Sequence, residues 1–238
     1  MPEDNSASAS PVQTGSWVKT TETFPSENTE ISVEIFDWKE GKHPAVVLLH
    51  GADGLTFRPE PYHALASLMA ESGLIVFLVH YFEGTNTKWS DQETTRKNFI
   101  KWGRTVKHAV DFAASRPNVL PGRIALFGTS LGASLALALA AISPGIRAVV
   151  EFFGGMPAAT VTLLKSMPPT LIVHGAKDEL VPVKKARELE ELLTAKKVPH
   201  ETKIYPDEGH IFSARAAQDA ALLAVAFLNK YLQDPPAD

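Results

Sequence analysis

No cysteine occurs among the 238 residues, which removes disulfides, thiolate metal ligands and a thiol nucleophile together. Long apolar runs are missing too. The longest, Ala133 to Ile142, is about half of the roughly 20 residues that a membrane span requires. Nor is there a block of one charge: 23 Lys and Arg are interspersed with 27 Asp and Glu, for a net charge of −4. A basic face gripping nucleic-acid phosphates is therefore not expected, and neither is a membrane partner. The opening MPEDNSASASPVQTG lacks the basic and apolar segments of a secretory signal. This predicts a cytoplasmic protein, although an exported form with its signal removed would read the same.

What is present is enough apolar residue, 45% of the chain, to build a core. The length suits a single domain over residues 16 to 234, preceded by a flexible Ser/Ala/Pro-rich arm over residues 1 to 15. Trp17 to Phe24 and Ile31 to Ile35 alternate as half-buried strands do, with Pro25 to Asn28 between them, which predicts an antiparallel hairpin. From Ala45 the pattern changes. Ala45 to Leu49 and Leu74 to Val79 are continuous apolar runs, the form of strands buried on both faces of a parallel sheet. Arg123 to Phe127, Ile146 to Phe153, Thr170 to Val173 and, more weakly, Thr202 to Tyr205 follow suit. Helical patterns lie between or after them: Tyr62 to Ser72, Thr94 to Ala114, Leu131 to Ile142, Val183 to Lys196 and Ala216 to Leu232. Such alternation predicts an α/β fold, with a mostly parallel sheet, helices on both faces and functional groups on loops beyond the carboxyl ends of the strands.

One loop stands out chemically. Gly128-Thr129-Ser130-Leu131-Gly132 joins a buried strand to an apolar helix, the strand–turn–helix setting in which G-x-S-x-G projects a nucleophilic serine. The plain alternative is a glycine-rich turn whose serine caps the helix. A serine hydroxyl needs a base, and the base an orienting acid. Asp178 follows the strand Leu171 to Val173, and His210 follows Ile204-Tyr205, so Ser130, Asp178 and His210 occur in the order nucleophile, acid, base on successive strand-end loops. Of the other histidines, His43, His63, His108 and His200 read as solvated, and His80 and His174 as strand ends able to bond loop backbone. His50 opens the loop His50-Gly51-Ala52-Asp53-Gly54. A loop there would supply one oxyanion N–H from Ala52, with the second from Leu131.

These motifs, with Val79-His80-Tyr81-Phe82-Glu83-Gly84, Phe152-Phe153-Gly154-Gly155 and Gly209-His210-Ile211-Phe212, resemble the α/β-hydrolase fold and, more narrowly, the dienelactone hydrolase family over about residues 30 to 232. Two departures stand out. Ser130 occupies the position of the family's cysteine nucleophile, and His50 that of its strand-end glutamate. Arg96 and Arg215 only loosely echo the family's substrate-carboxylate arginines, each out of register by one residue. The ordered triad and these two departures predict a serine hydrolase that needs no cofactor, acts on a small-molecule carboxylic ester and is a monomer or homodimer; no His-x-His or His-Glu-x-x-His spacing suggests a metal. A non-catalytic binding protein on the same scaffold, or cleavage of an amide, peptide or C–C bond, are the alternatives. With no cap expected, Phe57, Phe82, Trp89, Phe153, Met156 and Phe212 are candidates for an apolar pocket wall, although any one of them more simply packs its loop onto the sheet.

Overall fold

Apolar runs flanked by turn residues become strands sealed on both faces. In a computed structural model that describes residues 16–164 and 166–233, β3 (His43–Leu49), β4 (Ile75–Val79), β6 (Ala148–Phe152) and β7 (Thr170–Gly175) are buried at every position. Together with β1 (Trp17–Ser26), β2 (Thr29–Trp38), β5 (Val119–Thr129) and β8 (His200–Tyr205) they form one sheet in the order β1-β2-β4-β3-β5-β6-β7-β8. β1 with β2 and β2 with β4 are antiparallel; every other pair is parallel. The predicted hairpin is longer than its alternation suggested. Its turn narrows to Glu27-Asn28, with Pro25 inside β1, where an edge strand tolerates a residue that lacks an N–H.

Helices cover both faces. α2 (Gln92–Ser115), α3 (Leu131–Ala140) and α5 (Lys184–Ala195) pack one apolar core against the sheet, while α1 (Glu60–Glu71) and α6 (Ala214–Leu232) pack the other. Two short elements escaped the periodicity: a 3₁₀ turn at Tyr81–Thr85 and α4 (Ala158–Val161). Both are too short to show a repeat. The expected arm over residues 1 to 15 lies outside the described residues. Among the described residues of the β6–β7 connection, 153–164 and 166–169, α4 is the regular element.

Histidine exposure departs from the sequence reading at His43. It is buried, stacked on Trp38 with ring centroids 5.1 Å apart, and its ring nitrogens lie 3.1 Å from the Gly73 carbonyl and 2.9 Å from that of Glu40. Its hydrophilic neighbours in sequence concealed a core contact made across the fold.

Candidate active site

Ser130 sits where β5 turns into α3, at φ 51° and ψ −114°. Left-handed backbone at a residue with a Cβ costs on the order of 1–3 kcal/mol, and the surroundings enforce it. The Ser130 N–H is tied to the Phe152 carbonyl at 2.8 Å. A Cβ on Gly128 would collide with the backbone of Gly132 and Ala133, and one on Gly132 would meet the Leu49 and His50 carbonyls at 2.5 Å. Both glycines of the motif are therefore steric requirements of the turn. The serine side chain makes no cap bond to α3, so the plain alternative for this motif does not hold.

Instead its hydroxyl faces a histidine. Ser130 Oγ donates to His210 Nε2 at 3.0 Å, and His210 Nδ1 donates to Asp178 Oδ2 at 2.8 Å. The topology explains the convergence. β7 and β8 are parallel neighbours, paired from Thr170↔His200 to Gly175↔Tyr205, so their carboxyl-end loops emerge side by side. Asp178 is buried, and its Oδ1 accepts from the N–H groups of Leu180 at 2.9 Å and Val181 at 2.8 Å. Its loop is braced further by His174 at the end of β7. Nε2 of His174 donates to the Val181 carbonyl at 2.8 Å and lies 3.3 Å from Asp178 Oδ2, while Nδ1 is buried without a partner. Burial holds the His174 pKa below its ordinary value, against the pull of the Val181 carbonyl and of Asp178. The His210 loop is closed by Glu208, whose carboxylate accepts from both the N–H and the hydroxyl of Ser213, each at 2.6 Å.

The loop after β3 faces Ser130 from the other side. Gly51 approaches so closely that a Cβ there would lie 3.5 Å from that of Ser130. Tyr62 knits this loop to the elbow: its hydroxyl accepts from Gly51 N–H at 2.8 Å and lies 3.2 Å from both Asp53 Oδ1 and Thr129 Oγ1. Tyr81 donates to the His50 carbonyl at 2.8 Å, and Ser90 N–H to the Ala52 carbonyl at 2.7 Å. The N–H groups of Ala52 and Leu131 have no acceptor among the described residues.

His50 has a structural place. Its ring stacks on Tyr81 at 4.1 Å, Nδ1 donates to the Gly51 carbonyl at 2.8 Å, and burial lowers its pKa to about 3. It is a neutral packing group in the pH range where proteins work. The one buried carboxyl beneath the elbow is Glu151, on β6 opposite Gly128. Its Oε2 accepts from Gly154 N–H at 2.9 Å, its Oε1 has no partner, and burial pushes its pKa up to about 8 despite that bond.

Of the candidate pocket residues, Phe82 is core, packed on Trp102 at 4.5 Å and on His50 at 4.6 Å. Phe153, itself at φ 44°, lays its ring edge-on to His210 at 5.0 Å and against Phe212 at 5.3 Å. Met156 is half-buried against the core, while Phe57 and Trp89 are exposed. Arg96 is exposed on α2, and Arg215 borders a cavity of about 310 Å³ whose lining includes Tyr205, Asp207, Glu208 and Asp219 and none of Ser130, Asp178 or His210. Tyr62, Tyr81, His174, Glu151 and Glu208 were not singled out for these roles from sequence. Only His174, placed at a strand end within reach of loop backbone, left a signal.

Among the described residues no helix is long and apolar enough to cross a membrane, and no cluster of three or more metal-ligating side chains is present.

The fold and its motifs have relatives. A Yersinia pestis protein with the provisional name carboxymethylenebutenolidase is 23% identical over 210 residues, covering 81% of this chain and 78% of its own. The crystal structure of a dienelactone hydrolase-like promiscuous phosphotriesterase from metagenomic libraries superposes with a TM-score of 0.75 at 19% identity, over 91% of this chain and 99% of that one. Acylaminoacyl peptidase from Pyrococcus horikoshii gives a TM-score of 0.77 at 14% identity, over 94% of this chain but 43% of the peptidase. The dienelactone hydrolase family profile matches residues 32–231, and the chain belongs to that family of hydrolases.

Proposed function

We propose that the protein is a serine hydrolase that cleaves small carboxylic esters through an acyl-enzyme on Ser130. The observation that carries this reading is the unbroken hydrogen-bond chain from Ser130 Oγ through His210 to Asp178. His210 Nε2 takes the hydroxyl proton as Oγ bonds to the ester carbonyl carbon. Asp178 holds the imidazole with its proton on Nδ1 and stabilises the imidazolium. The carbonyl oxygen, now negative, sits between the N–H groups of Ala52 and Leu131, at the positive end of α3. Collapse breaks the carbon–alkoxy bond, and the alcohol leaves with the proton from Nε2. Water then adds to the acyl carbon, giving its proton to His210. The Oγ–carbon bond breaks, and the proton returns to Ser130.

Ser130 in place of a thiol favours ester work, because an alkoxide-derived acyl-enzyme is an ordinary ester that water opens with the same base. A fluorophosphonate probe is expected to label Ser130 alone, with the adduct mapped by mass spectrometry. On a panel of short aryl esters, Ser130→Ala is expected to lower kcat by about four to six orders of magnitude. An unlabelled serine, or a mutant retaining most of its activity, overturns the reading. Faster turnover of the matched anilides would move the assignment to amides.

A further inference from the structure

Exposed apolar side chains stand on two sides of Ser130. In the sheet order, β3 lies on one side of β5 while β6, β7 and β8 lie on the other, so the loops after β3 and after β7 and β8 leave the sheet on opposite sides of the serine. On the β3 side are Phe57 and Trp89. Trp89 is held beside the Ala52 loop, because its neighbour Ser90 donates to the Ala52 carbonyl at 2.7 Å. On the β7–β8 side are Ile211, the residue after His210, and Leu180, whose N–H donates to Asp178 Oδ1 at 2.9 Å. Ile211 is 72% exposed and Leu180 75%. Isolated exposed aliphatics are commonplace, but these two stand on the loops that carry His210 and Asp178.

Proton delivery decides what that pair touches. The proton that His210 Nε2 removes from Ser130 must pass to the alkoxy oxygen as the tetrahedral intermediate collapses, so that oxygen lies within hydrogen-bond reach of Nε2. The oxyanion points the other way, toward Ala52 and Leu131. The carbon skeleton of the leaving alcohol therefore emerges on the His210 side, and the acyl chain is directed away from it. On this geometry, and resting on the ester-hydrolase reading above, we propose that Ile211 and Leu180 bind the leaving alcohol and make the enzyme selective for esters of bulky apolar alcohols. The carbonyl carbon gains the Ser130 oxygen and loses the alkoxy oxygen, and the alcohol departs carrying the serine's proton along the apolar pair.

Two alkyl series separate acyl from alcohol recognition at nearly constant leaving-group acidity: methyl to hexyl acetate, and methyl acetate to methyl hexanoate. For the wild type, kcat/KM is expected to rise at least tenfold from methyl to hexyl acetate, a modest gain for several methylenes in contact. Ile211→Ser and Leu180→Ser are each expected to cut the hexyl-to-methyl ratio by several-fold and to keep the ratio of the acyl series. Trp89→Ala is expected to keep the alcohol ratio. All acetates share one acetyl-enzyme, so its deacylation rate is expected to be independent of the alcohol in every variant. A flat alcohol series in an enzyme that still labels and turns over at Ser130 overturns the proposal alone. So does an equal loss on methyl and hexyl acetate, or an Ile211→Ser variant whose only change is dissociation of a dimer seen by light scattering, which would make the pair an interface between copies. Failure to hydrolyse any ester of either series overturns the ester-hydrolase reading and this inference with it.

Discussion

Glu151 illustrates how one residue can carry a pH dependence that its sequence neighbours hide. Flanked by Val150 and Phe152, it reads as an interruption of a buried strand, and the fold keeps it fully buried with one oxygen on Gly154 N–H. Its pKa near 8 lies above the ordinary carboxylate value of 4.5 because burial penalises the anion. Below about pH 4.5 both folded and unfolded chains hold the proton. As pH rises from there toward 8 the unfolded chain releases it first, so folding stability falls, by an amount on the order of 4 kcal/mol. Glu151→Gln keeps an acceptor for Gly154 and has no proton to lose. Urea unfolding at pH 5 and pH 8.5 is expected to show a smaller loss in the variant by about that amount. An unchanged loss would place the ionisation elsewhere.

At the scale of elements, charged side chains bind the antiparallel edge to the parallel sheet. Glu34 on β2 pairs with Lys19 on β1, with His63 on α1 at 2.9 Å and with His80 at the end of β4 at 3.0 Å. Partial burial raises the Glu34 pKa, but hydrogen bonds from His80, Lys19 and His63 outweigh it and bring it to about 2. The stabilisation is complete above the unfolded value of 4.5 and is lost as pH falls toward 2. Since the histidines and Lys19 are partly solvated, about 1–2 kcal/mol is a fair expectation. Wild type and Glu34→Gln should therefore converge in urea midpoint between pH 5 and pH 2.5; a constant difference would show that the carboxylate's charge contributes nothing. Little of this network was legible in sequence, where His63 passed as solvated. Pairing across strands and helices depends on register, and register emerges only once the whole sheet is laid down.

Across the whole molecule, legibility follows the range of the forces involved. The buried parallel strands were readable because solvent exclusion imposes continuous apolar runs, and the elbow because its glycines answer steric contacts a few residues away. The convergence of Ser130, Asp178 and His210 was legible because sheet order converts chain order into a fixed sequence of loops. Tyr62, Tyr81 and His174 act through side-chain hydrogen bonds to loops, which leave no periodic trace. Phe82 could face the active side or the core for a related reason: an aromatic in the turn after β4 can point either way, and contact with Trp102 and His50 decides for the core.

The same order of assembly bears on refolding. Ser130 and His210 lie 80 residues apart in the chain, and contacts of such long range form late, because loop-closure entropy must be overcome before they reward the fold. On dilution from urea, ester hydrolysis is expected to return with the slowest phase, after far-UV ellipticity has recovered; activity rising in step with the earliest signal would contradict this.

The Ser130 elbow is built by β5, α3 and the close approach of β3, yet the histidine that faces its hydroxyl follows β8. On the reading proposed above, a nascent chain that has not yet reached His210 carries a serine without its base. On that same reading, fragments that stop before β8 carry an unassisted serine, so ester hydrolysis would report that the described sheet is whole.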